Sequence, residues 1–140
     1  MSGCDIFDAV TGHNLKSRAH FIEIRDCHVH VGNNRQIDLV EASDTERPNS
    51  NALIIGCRIE MNPTSKGNRN TLHFGQERGI RNGKLYVFGS TIVTPFLSSL
   101  LLMDSPTCSA MFVGDRIINV EQHAPIFAEP DRLKRPVHLA

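Results

Sequence analysis

The sequence predicts an all-β fold, a single-domain solenoid of parallel strands. Three observations predict it. The first is a turn that recurs five times, as Gly3-Cys4-Asp5-Ile6, Asp26-Cys27-His28-Val29, Gly56-Cys57-Arg58-Ile59, Gly89-Ser90-Thr91-Ile92 and Gly114-Asp115-Arg116-Ile117, at separations of 23, 30, 33 and 25 residues. The second is a pair of apolar columns in register with those turns. Met1, Ile24, Ile54, Val87 and Phe112 stand two positions before, and Ile6, Val29, Ile59, Ile92 and Ile117 stand three positions after. The third is period-2 patterning on both sides of the turn, with no helical segment between copies. A unit of this kind cannot bury its apolar edge alone. Stacking the units at the interstrand distance, roughly 4.8 Å, builds one continuous core. A β-sandwich of alternating strands gives no reason for apolar residues to fall in register over five copies.

Taken in order, Met1 already occupies a ladder position, so the chain is expected to start inside a rung with no capping helix. It reads as the last five rungs of a longer coil, or as a small coil closed by a partner. Each turn joins two short strands. A further strand follows farther along, at His13-Asn14-Leu15-Lys16, Gln36-Ile37-Asp38-Leu39, Thr71-Leu72-His73-Phe74 and Ser99-Leu100-Leu101-Leu102. The polar, turn-rich stretches 8–20, 32–51, 62–70 and 76–84 are loops that carry the unequal spacing, which stacked strands tolerate. Rungs are expected over 1–128, with Pro125-Ile126-Phe127 as a last strand. The tail 129–140 either caps the lower end through Leu133, Val137 and Leu139 or stays loose.

Four runs carry a resemblance. Gly-His-Asn-Leu-Lys-Ser-Arg-Ala (12–19), Gln-Ile-Asp-Leu (36–39), Asn-Thr-Leu-His-Phe-Gly-Gln-Glu (70–77) and Gly-Lys-Leu-Tyr-Val-Phe-Gly-Ser-Thr-Ile-Val (83–93) are similar to consecutive rungs of large bacterial proteins. Those proteins are right-handed parallel β-helices of the pectate-lyase-like superfamily. The similarity extends over most of residues 3–120. It implies a right-handed parallel β-helix of about five rungs and a polysaccharide as the ligand class. It does not choose an activity, because the superfamily hosts lyases, hydrolases, epimerases and adhesins.

Composition narrows the function. Lysine plus arginine and aspartate plus glutamate number 15 each, so no bulk field draws the chain to nucleic acid or a membrane surface. No apolar run is long enough to span a bilayer, and the first residues lack a basic n-region and an apolar h-region. Tryptophan is absent and tyrosine occurs once, which is poor for a sugar-stacking groove. Cys4, Cys27 and Cys57 share one repeat position and, with Cys108, form no CxxC pair. They read as free thiols in a ladder, in keeping with a cytoplasmic location, and not as a disulfide or zinc framework.

Period 2 assigns the outward faces. Before the turn the outward columns run Glu23, Leu53, Tyr86, Met111 and Arg25, Ile55, Phe88, Val113. The six apolar members form a patch that a monomer rarely leaves in water. It reads as a homodimer interface, as a face covered by the tail or a loop, or as a platform for sugars over Tyr86 and Phe88. On the later strand, Lys16, Asp38 and His73 stack as an outward column, with Arg18, Glu41 and Glu77 nearby. A lyase base at Lys16 or His73, with Arg18 stabilising the enolate, is one reading. A hydrolase pair of Asp38 and Glu41 is another. Plain cross-strand charge pairing on a solvated face is the third. His28 and His30, two apart on one face with Glu60 a rung away, are weak metal candidates, and no cofactor is expected. His20, His123 and His138 join no constellation. No phosphate loop or nucleophile elbow is present. Two functions survive: a non-catalytic scaffold or binding module, carbohydrate included, and a polysaccharide-cleaving remnant or segment of a larger enzyme.

Overall fold

A computed structural model describes residues 1–95, 97–119 and 137–139. In chain order its strands are β1 (Asp5–Phe7), β2 (Leu15–Ser17), β3 (Ile22–Arg25), β4 (His28–His30), β5 (Ile37–Leu39), β6 (Ala52–Ile55), β7 (Arg58–Glu60), β8 (Leu72–Phe74), β9 (Lys84–Phe88), β10 (Thr91–Thr94), β11 (Leu101–Leu102), β12 (Ser109–Val113), β13 (Arg116–Asn119) and β14 (Val137–Leu139). No helix occurs among the described residues. Up to β13, each strand pairs with the one three places along the chain. Three parallel sheets result: a first of β3, β6, β9, β12 and β14, a second of β1, β4, β7, β10 and β13, and a third of β2, β5, β8 and β11. This arrangement is consistent with a parallel β-helix.

The registers reproduce the sequence columns. Ile24, Ile54, Val87 and Phe112 lie side by side in the first sheet, and Ile6, Val29, Ile59, Ile92 and Ile117 do so in the second. Together with Leu15, Ile37, Leu39, Leu72, Phe74 and Leu101 from the third sheet they form one core.

The recurring turn is a single left-handed residue. φ is 61° at Gly3, 50° at Asp26, 62° at Gly56, 56° at Gly89 and 65° at Gly114. That conformation swings the chain from the first sheet into the second in one step. Aspartate tolerates it better than most side chains, which explains Asp26. The next position turns back on the strand it has left. Cys4, Cys27 and Cys57 donate Sγ–H to the carbonyls of Ser2, Arg25 and Ile55, and Ser90 donates Oγ–H to that of Phe88, at 3.1–3.4 Å. Asp115 inverts the pattern and accepts from the amides of Val113 and Ser90, at 3.0 and 2.6 Å. None of the four cysteines is in a disulfide among the described residues.

At the first turn, only a single Ser2–Arg25 bridge stands where a full strand was expected before Gly3. Met1, Phe7, Val10 and Phe21 are exposed at this end. At the other end, β14 pairs with β12 and extends the first sheet by one strand. The strand expected at 125–127, and Leu133, lie outside the described residues.

Candidate functional site

The outward column of the third sheet is real in register but differs from the expected solvated face. Lys16 lies beside Asp38, and Asp38 beside His73. Leu15, Ile37, Leu39, Leu72 and Phe74 alternate with them into the core, so the three polar side chains must point out. Yet Asp38 is 0% exposed and His73 only 2%. The loops account for this, because they bring His13, Arg35, Glu77 and Asp104 over the sheet.

Asp38 is the centre. Its Oδ1 accepts from Arg35 Nη1 at 2.9 Å and from His73 Nδ1 at 2.7 Å. Its Oδ2 lies 3.2 Å from both His13 Nε2 and Lys16 Nζ. His73 donates on its other side, Nε2 to Asp104 Oδ1 at 3.0 Å. Lys16 and Arg18 both reach Glu77. Arg18 also donates to the Glu41 carbonyl at 2.7 Å. The Glu41 carboxylate accepts from the amides of Glu77 and Arg78.

The electrostatics follow from these contacts. Burial pushes Asp38 up, but the His73 hydrogen bond and the charges of His13, His73 and Arg35 outweigh it and hold the carboxyl well below its ordinary range. Burial pulls His73 down, but its two carboxylate partners win and raise it, although Arg35 opposes them. With a carboxylate on each nitrogen, the imidazolium form donates to both, and Arg35 Nη1, 3.0 Å from Nδ1, opposes it. Lys16 is raised in the same way: desolvation lowers it, and hydrogen bonds to Glu77 and Asp38 more than offset this. Glu77 is lowered, first by Lys16. Asp104 and Glu41 are lowered against their own burial, by His73 and by backbone amides respectively. His13 is lowered, chiefly by burial. Asp38, Glu41, Glu77 and Asp104 face Lys16, Arg18 and Arg35, four anions against three fixed cations, and one protonated imidazole evens the balance.

Beside this network opens a cleft of about 350 Å³, lined by Arg18, Glu41, Glu46 and Arg78 among others. Behind it lies Arg81, fully buried. Its guanidinium donates to the carbonyls of Val40, Ala19 and Ser50 at 2.9, 3.0 and 3.2 Å. It also stacks over Phe74 at 4.8 Å.

On the first sheet, Leu53, Tyr86 and Met111 form one outward row and Ile55, Phe88 and Val113 the next. The rings of Tyr86 and Phe88 stack at 5.9 Å. The rows begin at Glu23 and Arg25, which pair with each other at 2.5 Å. On the second sheet, His28 Nε2 lies 2.6 Å from Glu60 Oε1, and His30 Nε2 lies 2.9 Å from Asp5 Oδ1.

The sequence missed His13, Arg35, Asp104, Arg81 and Asp5 as site members. Arg35, Asp104 and Arg81 sit in loops, where period 2 carries no orientation, and His13, expected to open a strand at 13–16, lies just ahead of β2. Asp5 had a signal, because it shares the ladder column of His28 and Arg58. No family model, curated protein or solved structure matches the chain.

Proposed function

We propose that the chain is a short right-handed parallel β-helix of the pectate-lyase-like kind that works as a non-catalytic binding scaffold and pairs with a second copy of itself. Its described rungs run from β1 to β13, and β14 continues the first sheet beside β12. One observation carries the non-catalytic reading. The candidate groups are engaged by charged partners that oppose the roles sugar cleavage would give them. A lyase base must be free of its proton near working pH. Lys16 and His73 are both raised by carboxylate partners. A hydrolase acid must keep its proton. Asp38 and Glu41 are both lowered. Arg18 is already occupied by Glu77 and Glu41.

The ligand class this reading favours is an acidic polysaccharide, with sugar carboxylates meeting Arg78 at the cleft. The self-association rests on the two apolar rows of the first sheet, where burial against a second copy removes Tyr86 and Phe88 from water. Four free thiols suit a compartment that keeps thiols reduced.

The first experiment is light scattering over a concentration series, joined to incubation with acidic polysaccharides. A dimer mass, and a melting temperature raised by glycan without ultraviolet-absorbing products, supports the scaffold. Release of unsaturated, absorbing sugars overturns it in favour of a lyase.

A further inference from the structure

We propose that Asp5, His28 and His30, on the outer face of the second sheet, form a binding site for a divalent transition cation of the zinc class, with Glu60 orienting His28. The site is independent of the scaffold reading, and its test reads metal rather than mass or glycan.

The backbone sets the constellation. Asp5 of β1 stands opposite His28 of β4. His28 and His30 are two apart on one strand and so share a face. One ligand atom from each of the three lies within 4.8 Å of the others. Asp5 Oδ1 is 2.9 Å from His30 Nε2 and 3.6 Å from His28 Nδ1. Tetrahedral coordination with bonds of about 2.0–2.1 Å puts ligand atoms about 3.3 Å apart, so these two edges are near their bound lengths.

The hydrogen bonds around His28 leave one of its ring nitrogens available to a cation. Glu60 Oε1 accepts from His28 Nε2 at 2.6 Å, and Arg58 Nε fixes the same oxygen at 2.6 Å. A hydrogen bond to a carboxylate places the neutral ring's proton on Nε2 and leaves Nδ1 as a bare lone pair. In that tautomer Nδ1 and Asp5 Oδ1, 3.6 Å apart, are both acceptors turned toward one point. A cation at that point satisfies both. The Glu60–His28 contact then becomes the carboxylate–histidine support that metal-binding imidazoles commonly have.

Binding needs two adjustments. The rings of His28 and His30 stack at 3.9 Å and 16°, and they must tilt so that both lone pairs converge. Side-chain exposures of 37% and 21% leave room for this. His30 must also free Nε2, its proton moving to Nδ1 or to solvent, as metal binding generally demands. Phe7, stacked on His30 at 5.3 Å, walls one side. Two imidazoles and one carboxylate select zinc, copper(II) or nickel(II) over calcium or magnesium, which prefer oxygen ligands throughout. Three protein ligands leave a fourth position for water or a donor from a bound partner.

The test titrates the untagged full chain with zinc(II) alone by calorimetry, and with cobalt(II) followed by its visible absorption. One cation per chain is expected, with cobalt bands of low-symmetry, four-coordinate type. His28→Gln and His30→Gln should each abolish binding, and Asp5→Asn should weaken it at least about tenfold. Glu60→Gln, which removes only the support of His28, should weaken it about tenfold and shift the cobalt bands. His20→Gln, remote from the cluster, should bind as the parent does. The site is overturned if zinc binds His28→Gln and His30→Gln as tightly as the parent, or if neither zinc nor cobalt binds saturably. Unchanged affinity and bands in Glu60→Gln overturn the role given to Glu60.

Discussion

Arg81 and His73 are two buried cations satisfied in opposite ways. Arg81 has no carboxylate within ion-pair reach among the described residues. It spends its donors on main-chain carbonyls at Ala19, Val40 and Ser50, which belong to three loops distant in sequence. Burial lowers it, but a guanidinium stays charged. Removing the donors strands several buried carbonyls at once, so Arg81→Met should lose about 3 kcal/mol or more in chemical denaturation, a large share of a domain's total stability. A loss under about 1 kcal/mol would show that those carbonyls find other partners.

His73 instead binds protons through its anions, and the sign follows. Its pKa is raised above 6.5, so its contribution is complete below that pH and fades as pH rises through the folded value. Asp38, Asp104, Glu41 and Glu77 are lowered, so theirs are present above the ordinary carboxylate range and fade as pH falls through the folded values. His13, lowered by burial, costs stability as pH drops below 6.5 and partly offsets His73. Stability should therefore peak in mildly acidic solution and decline toward pH 9. Each unit by which His73 is raised corresponds to about 1.4 kcal/mol. His73→Gln should flatten that alkaline decline. Identical slopes in parent and variant, from urea melts between pH 5 and 9, would contradict the assignment.

At the scale of the element, the turn between the first two sheets was the most legible feature in the chain. Its requirement is local: one residue at positive φ, then a short polar side chain that bonds back to the backbone, with apolar neighbours at fixed offsets. Gly56 shows why the first position is narrow, with φ at 62° and the Asp26 carboxylate of the preceding copy 2.6 Å from where a Cβ would stand. The third sheet was legible only in part. Period 2 placed Lys16, Asp38 and His73 on one outward row, but said nothing about what lies above that row. Loops supplied the cover, and a loop residue such as Asp104 or Arg35 declares its direction only through its contacts. Loops here are also stacked elements in their own right. Gly83 passes so close to the Ser50 carbonyl that a Cβ would overlap it. Because the obstacle is backbone and not a movable side-chain tip, Gly83→Ala should cost about 1–3 kcal/mol by forcing the two turns apart. A melting temperature equal to the parent's would mean that the turns separate freely.

For the whole molecule, a stack of layers holds only neighbour-to-neighbour contacts, so each outer face stays as flat as its sheet. The first sheet has Glu23 and Arg25 paired at the start of its rows and apolar side chains from Leu53 and Ile55 onward. A flat apolar face bounded by an ion pair at one end suits isologous pairing, in which each row crosses its own copy about a two-fold axis. Phe88 lies in the middle strands, stacked on Tyr86, where an aromatic contributes most to an interface. Its side chain is only half-buried and points away from the core, so a polar replacement leaves the fold intact. Phe88→Asp should then weaken self-association by at least about 30-fold, the equivalent of roughly 2 kcal/mol for one central aromatic. The readout is the mass by light scattering against concentration, with far-ultraviolet circular dichroism to check the strands. A parent that stays monomeric at every concentration, or a variant that keeps the parent's dimer mass, removes the first sheet as the interface. The cleft beside Arg18 then becomes the surface on which the binding role has to rest.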